Sequence, residues 1–191
     1  MTTEYLALAG LLAGLPEAGW DTPSLCAGWR VREVVAHMTM PVRYTTDQFM
    51  AELQASEGDF TRLSNRIASR DAALPAATLV GNLRDETMLH WIPPGGGLTG
   101  ALNHVVIHGL DITVPLGDAR RPPAGTLRAV LDDLTRGGIH ANFGSDLSGR
   151  QLRATDLDWS FGSGTPVTGT AADLALFLCG RKLPAGRISG P

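Results

Sequence analysis

The chain has 191 residues, of which 43% are hydrophobic and 18% charged, and this is an ordinary composition for a globular protein with a sizeable core. Its formal net charge of −3 and its isoelectric point of about 5.9 argue against the basic surface that nucleic acids or anionic membranes attract. No apolar run approaches the roughly 20 residues of a membrane span, and the N-terminus has no basic segment ahead of an apolar one. The two cysteines form no paired motif, so we expect a soluble protein of the reducing cytoplasm.

Apolar residues at helical spacing predict a mainly α chain through about residue 145. Helices are expected over residues 3–15, from 30 onwards, and over 60–70, 76–91, 98–114 and 124–140. Residues 19–29 predict an ordered loop, because this segment contains two tryptophans that are costly to leave in water.

The second helix contains a histidine that is followed by a proline. Pro41 lies four residues after His37 and has no N–H to donate to the carbonyl of that residue. The sequence therefore predicts a kink at His37, after which the helix resumes through Tyr44 and Leu53.

Beyond residue 145 the apolar spacing changes from that of helices to that of strands. Leu152 to Phe161 have strand-like intervals, and Val167 marks another short strand. Thr170 and Asp173 have the spacing of a capping box ahead of a final helix. We expect a helical bundle over residues 1–145 and a small α+β lobe over residues 146–191.

The segment from Asn103 to Asp111 has the most distinctive chemistry in the chain. His104 and His108 are four residues apart on an expected helix, so their imidazoles leave the same face and could bind one metal ion. Asp111, three residues further on, lies on the same stripe. Apolar neighbours indicate that this helix is buried, and buried polar groups need partners. The alternative is a pair of core histidines that hydrogen bonds satisfy.

A third histidine, His37, lies on a different helix and favours the metal interpretation over that of satisfied core histidines. Three histidines from two helices of a bundle form a three-ligand site with an open coordination position, which is typical of catalytic rather than structural zinc. Asp111 would then orient an imidazole or contact the substrate. Its alternative role is that of an ordinary aspartate capping a neighbouring helix.

Other candidates carry weaker signals. Tyr44 lies two turns after His37 and would line the pocket as a cofactor-binding residue, although core packing explains it equally simply. Cys26 and Cys179 are in apolar surroundings without an adjacent base, which favours inert packing. His90 and His140 lie near helix ends, where structural roles suffice.

A basic cluster near the C-terminus offers cations for an anionic substrate. It consists of Arg181, Lys182 and Arg187. Such clusters are usually solvated, but this one is the most concentrated in the chain.

Three sequence motifs follow one another along the chain. The first runs from Trp20 through PSLCAGWRVREVVAH to His37, and the second is HVVIHGLDI followed by Pro115-Leu116-Gly117. The third extends from Leu152 to Phe161, with Asp156 and Trp159, and continues to LCGR at residues 178–181. Together they cover most of the chain, and in this order they resemble the mycothiol-dependent maleylpyruvate isomerase family, which is part of the wider DinB-like superfamily.

The resemblance implies a DinB-like four-helix bundle with a small C-terminal α+β lobe and a divalent metal, usually zinc, with nickel as another candidate. The ligand positions fall on His37, His104 and His108. A glutamate matches His104 in the isomerase, so the histidine here is more similar to the three-histidine site of other superfamily members. The substrate-binding arginine matches Arg181 loosely, and mycothiol is the implied thiol cosubstrate.

Two classes of function follow. The first is a metal-dependent enzyme, an isomerase or S-transferase, that adds a small thiol to a small electrophile. The second is a metal-binding stress-response or binding protein without turnover, for which a fourth protein ligand would close the metal site. A metal-dependent hydrolase is a third option, with Asp111 as the one obvious general base.

Overall fold

The computed structural model describes residues 1–136 and 147–190 as two compact units, Met1–Gly117 and Asp118–Pro191. The helices of the first unit are α1 (Thr2–Ala13), α2 (Glu17–Trp20), α3 (Val31–Met38), α4 (Met40–Arg43), α5 (Thr46–Gln54), α6 (Phe60–Asp71), α7 (Ala76–Leu83), α8 (Glu86–Leu89) and α9 (Gly97–Thr113). The second unit contains α10 (Ala124–Thr135), β1 (Arg150–Ala154), β2 (Ser160–Gly162), β3 (Thr165–Gly169), α11 (Ala171–Leu178) and β4 (Ile188–Ser189).

Helices α3 and α9 lie at the centre of the first unit. Helix α3 packs against α6, α7 and α9, and α1 packs against α7 and α9. The largest fully buried side chains come from these helices and from the short helices α2 and α8: Tyr5, Leu8, Leu12, Trp20, Met38, Leu63, Ile67, Leu79, Leu83, Met88, Leu110 and Ile112. The predicted mainly α bundle is confirmed, and none of the described helices is long and apolar enough to cross a membrane.

The predicted interruption after His37 is also confirmed. Helix α3 ends at Met38, and α4 begins two residues later with Pro41 in its first turn. Between them the Thr39 hydroxyl donates to the Val35 carbonyl at 2.7 Å. The same carbonyl accepts the backbone N–H of Thr39 at 3.1 Å, so two hydrogen bonds hold Thr39 against the last turn of α3.

One predicted helix is divided in two. The expected helix over 76–91 ends at Leu83, and a new one starts at Glu86. The cause is Asp85, whose carboxylate accepts the backbone N–H of Thr87 at 2.8 Å and so caps the shorter helix.

The described residues of the second unit, 118–136 and 147–190, form a four-stranded sheet and two helices. The strand order is β2-β1-β3-β4, in which β1 pairs antiparallel with β2 and parallel with β3. Leu152 on β1 is in register with Val167 on β3, and both are buried. The predicted strands and the final helix are therefore confirmed, whereas the two-residue strand β4 was not predicted.

Trp159 and Asp156 anchor the sheet to its helices. The Trp159 indole donates to the Asp132 carboxylate on α10 at 2.8 Å. Asp156 accepts the N–H of Ala171, the first residue of α11, at 2.7 Å. Helix α10 also packs against α11 within this unit.

The predicted boundary at residues 145/146 falls outside the described residues and stays a prediction. Helix α10, however, which we assigned to the bundle, lies in the second unit.

A glycine crossing connects β2 to β3. The chain passes from one side of β1 to the other through Ser163 and Gly164, close to the carbonyl of Gly149. Gly164 has φ +119°, and a Cβ there would overlap the Gly149 carbonyl. The oxygen of that carbonyl accepts the N–H of Thr165 at 2.8 Å. Only glycine fits this crossing, because both the backbone conformation and the space exclude a side chain.

We expect Gly164→Ala to lower the free energy of unfolding by about 2 kcal/mol or more, because it combines an unfavourable φ with a backbone clash. Gly125→Ala is the control, since Gly125 lies in α10 and a Cβ added there would point into open space. That change should stabilise the helix by up to about 1 kcal/mol. Urea unfolding curves measure the free energy of unfolding of both variants. Equal values would contradict the conclusion that only glycine fits at residue 164.

Candidate metal site

The site is built from the C-terminal end of α3 and the middle of α9. His37 is the penultimate residue of α3 and is 6% exposed, while His104 and His108 are one turn apart on α9. Because α3 packs directly against α9, the three imidazoles converge. Residue 37 thus faces residues 104 and 108, as the sequence analysis expected.

The three rings have the spacing of a mononuclear metal site. Ring centroids are 5.6 Å apart for His37–His104 and 5.0 Å apart for both His37–His108 and His104–His108. One nitrogen of each ring lies within 4.8 Å of the others. Metal–nitrogen bonds of about 2.0–2.1 Å place tetrahedral ligands about 3.4 Å apart, so the rings need to close by about 1.4 Å at most. Within residues 1–136 and 147–190, no cysteine or carboxylate forms a fourth member of this group.

The electrostatics favour neutral imidazole at His104. Burial lowers the pKa of His104 well below its ordinary value of 6.5, and positive charge on His108 or His37 lowers this pKa further. A neutral imidazole has the free electron pair that a metal ion needs. The donor set therefore fits a divalent ion such as zinc or nickel.

His108 is oriented by a buried carboxylate. Its Nδ1 lies 3.0 Å from Oδ2 of Asp111, which is completely buried. An Nδ1–H that donates to this carboxylate leaves Nε2 as the electron-pair donor, and this arrangement is common behind metal-bound histidines. The contact corresponds to the orienting role expected for Asp111 and leaves no need for the alternative, a helix cap.

The sequence analysis did not place Cys26 in this site. The thiol donates to Oδ2 of Asp111 at 3.0 Å, and its sulfur lies 3.7 Å from Nδ1 of His108. These three side chains form a second compact group of potential donors. The backbone N–H of Leu25 donates to the Asp111 carbonyl at 3.0 Å and fixes the loop to α9. The expectation that no base lies near Cys26 was therefore wrong, whereas the inertness of this thiol stays a prediction.

Tyr5 was also missed. This residue of α1 is fully buried, and its hydroxyl lies 3.1 Å from Nδ1 of His104. Burial raises the pKa of Tyr5 well above its ordinary value of 10.0, so the side chain remains a neutral phenol. Spacing could not reveal this contact, because 99 residues separate Tyr5 from His104.

Aromatic side chains surround the three histidines. The ring of Trp29 lies 5.0 Å from His37, and that of Trp91 lies 5.1 Å from His104. Phe60, which is 53% exposed, lies 6.4 Å from His37. These rings reduce the contact of the imidazoles with water and so strengthen electrostatic interactions at the site.

Tyr44 makes its polar contacts elsewhere in the first unit. Its hydroxyl donates to Asp71 at 2.7 Å and accepts from Arg70, and the Arg43 guanidinium lies 5.8 Å from its ring centroid. It also packs against a cluster that contains Met40. These contacts support the packing interpretation, and the cofactor-binding role stays a prediction.

Arg181 and His90 both contact backbone carbonyls. Arg181 follows α11 in the second unit and donates to the Cys179 carbonyl at 3.3 Å, and its substrate-binding role stays a prediction. His90 is exposed and its Nδ1 lies 3.0 Å from the Glu86 carbonyl, as a structural role requires. His140 lies outside the described residues.

We expect Asp111→Asn to weaken divalent-metal affinity roughly 10-fold or more, because the amide cannot supply the negative charge behind His108. Chelator competition with zinc measures the dissociation constant. Asp47→Asn, an exposed change in the first turn of α5, is the control and should leave this constant unaltered. Equal affinities for the two variants would show that Asp111 does not support the site.

Comparison with known proteins gives the same family as the three motifs. Residues 2–91 match the family model described as mycothiol maleylpyruvate isomerase N-terminal domain. A crystal structure of the mycothiol-dependent maleylpyruvate isomerase superposes with a TM-score of 0.59 at 16% identity, covering 100% of this chain and 92% of the other. A histidine-to-alanine mutant of that isomerase gives a TM-score of 0.56 with the same identity and coverage.

No curated protein sequence matches the chain. At 16% identity the structural likeness establishes the fold, a DinB-like helical bundle with a small α+β lobe, and the family model identifies the N-terminal part. Residues 2–91 thus match the model of the mycothiol maleylpyruvate isomerase N-terminal domain, and the chain has the fold of that isomerase.

Proposed function

We propose that the protein is a divalent-metal-dependent enzyme that uses a low-molecular-weight thiol, mycothiol by family, to attack a small electrophile. The observation that carries this proposal is the convergence of His37, His104 and His108 from two helices, with no fourth donor grouped with them in the part of the chain that is described. A three-ligand site leaves a coordination position for a reactant, whereas structural zinc sites usually have four protein ligands.

The chain's own residues have distinct tasks in this scheme. His37, His104 and His108 hold the ion, and Asp111 keeps His108 in the ligating tautomer. When bound, the ion supplies a position at which a thiol loses its proton. The aromatic rings of Trp29 and Trp91 limit the access of water to the three imidazoles.

Addition of the thiol sulfur to one carbon of a double bond conjugated with a carbonyl forms a carbon–sulfur bond and breaks the π bond, whose electrons move onto the carbonyl as an enolate. If the enolate takes up the proton that the thiol lost and the adduct is released, the outcome is S-transfer. If the enolate instead rotates about the former double bond and expels the thiolate, the double bond forms again and the outcome is cis–trans isomerisation of a maleyl-type substrate. The family favours isomerisation, whereas the histidine at position 104 departs from the isomerase's pattern and leaves S-transfer as the related reaction.

Metal content and turnover test the proposal together. We expect about one equivalent of zinc or nickel per chain in purified protein, and loss of the metal in His104→Ala and His37→Ala because each removes one of three ligands. Mycothiol-dependent conversion of maleylpyruvate, or consumption of mycothiol in the presence of another electrophile, should require the metal. His90→Ala is the control, because this exposed histidine is separate from the group.

A metal-bound protein that neither binds nor consumes a thiol would support the alternative, a metal-binding protein without turnover. Full metal content in His104→Ala would contradict the site itself. Elemental analysis and a thiol titration of metal-loaded and metal-free protein separate these outcomes.

A role of Arg181 in binding a substrate carboxylate predicts a selective defect. Arg181→Ala should raise KM about 10-fold or more for a carboxylate-bearing electrophile, since a charge-assisted hydrogen bond contributes about 1.5–3 kcal/mol. KM for an uncharged electrophile should stay the same. Lys182→Ala is the control for a general loss of positive charge, and equal effects of the two variants on both electrophiles would argue against a specific contact.

A further inference from the structure

The polar environment of His104 differs from that of His108. His108 has the Asp111 carboxylate at its Nδ1, three residues away on the same helix. His104 instead has the phenol of Tyr5 at its Nδ1, from a different helix. Helix α1 contributes none of the three histidines, yet it packs against α9 and directs this hydroxyl to one of them.

We propose that Tyr5 is a positioning residue that fixes the ring orientation and tautomer of His104, so that Nε2 of His104 is presented to the metal; this rests on the proposed metal site. A phenol oxygen can accept a hydrogen bond, so an imidazole with its proton on Nδ1 donates to Tyr5 and keeps the electron pair on Nε2. A phenylalanine at this position would offer no acceptor, and the buried Nδ1–H would then be unsatisfied.

Tyr5→Phe tests the proposal, because it removes the hydroxyl and keeps the buried ring. We expect zinc or cobalt to bind at least about 10-fold more weakly in chelator competition. The ligand-field spectrum of the cobalt form should also change, and proton–nitrogen NMR correlations should show His104 losing its preference for the Nδ1–H tautomer in the metal-bound protein.

Thr135→Val is the matched control. It also removes a buried hydroxyl, but this hydroxyl donates to the Leu131 carbonyl within α10 rather than contacting a histidine. We expect the metal dissociation constant and the cobalt spectrum of this variant to equal those of the wild type.

A double-mutant comparison separates positioning from general stability. In a His104→Ala background, Tyr5→Phe should have no further effect on the residual metal affinity, because its effect passes through that imidazole. An equal loss in both backgrounds would assign Tyr5 to packing and overturn the proposal, as would a Tyr5→Phe variant with wild-type affinity and spectrum.

The tautomer of His104 in wild-type metal-bound protein gives a test that needs no variant. The Nδ1–H form supports the proposal, and ligation through Nδ1 overturns it even if Tyr5→Phe does not fold. Wild-type protein that binds no metal would defeat the proposed function, and with it the positioning role. Full metal binding with no effect of Tyr5→Phe would defeat only the positioning role.

Discussion

The first unit depends on the pairing of polar groups on one largely buried helix. Helix α9 carries His104, His108 and Asp111 among apolar side chains, and each of them would be costly to bury alone. Each finds a partner from another part of the chain: the phenol of Tyr5 for His104, the thiol of Cys26 for Asp111, and the His37 ring beside both imidazoles. The packing of α1, α3 and the loop before α3 around α9 is thus tied to the chemistry of the site.

The sequence predicted the three histidines because local rules determine their placement. The spacing of His104 and His108 defines one helical face, and Pro41 requires an interruption close to His37. Both rules act over four residues and are insensitive to the rest of the fold. The family resemblance then supplied the remaining step, which is that two separate helices meet at this point.

The partners of the histidines could not be predicted in the same way. Cys26 and Tyr5 are 85 and 99 residues from the groups that they contact, and no periodicity records a contact of that length. Asp85 is a different case. An aspartate is a common helix cap, but this one lies within an apolar pattern long enough for a single helix, so the division of the helix expected over 76–91 was missed. The requirement for glycine at residue 164 could not be predicted either, because it depends on the neighbouring Gly149 backbone.

The interruption after His37 has a consequence for how an ion would enter and leave. His104 and His108 lie in the middle of a 17-residue helix, whereas His37 lies in the last turn of an eight-residue one. Helix ends open more readily than helix centres, so His37 would detach first while the other two kept their geometry. Exchange of the ion would then follow fraying of one short helix, and free metal in solution would stabilise the folded chain by mass action.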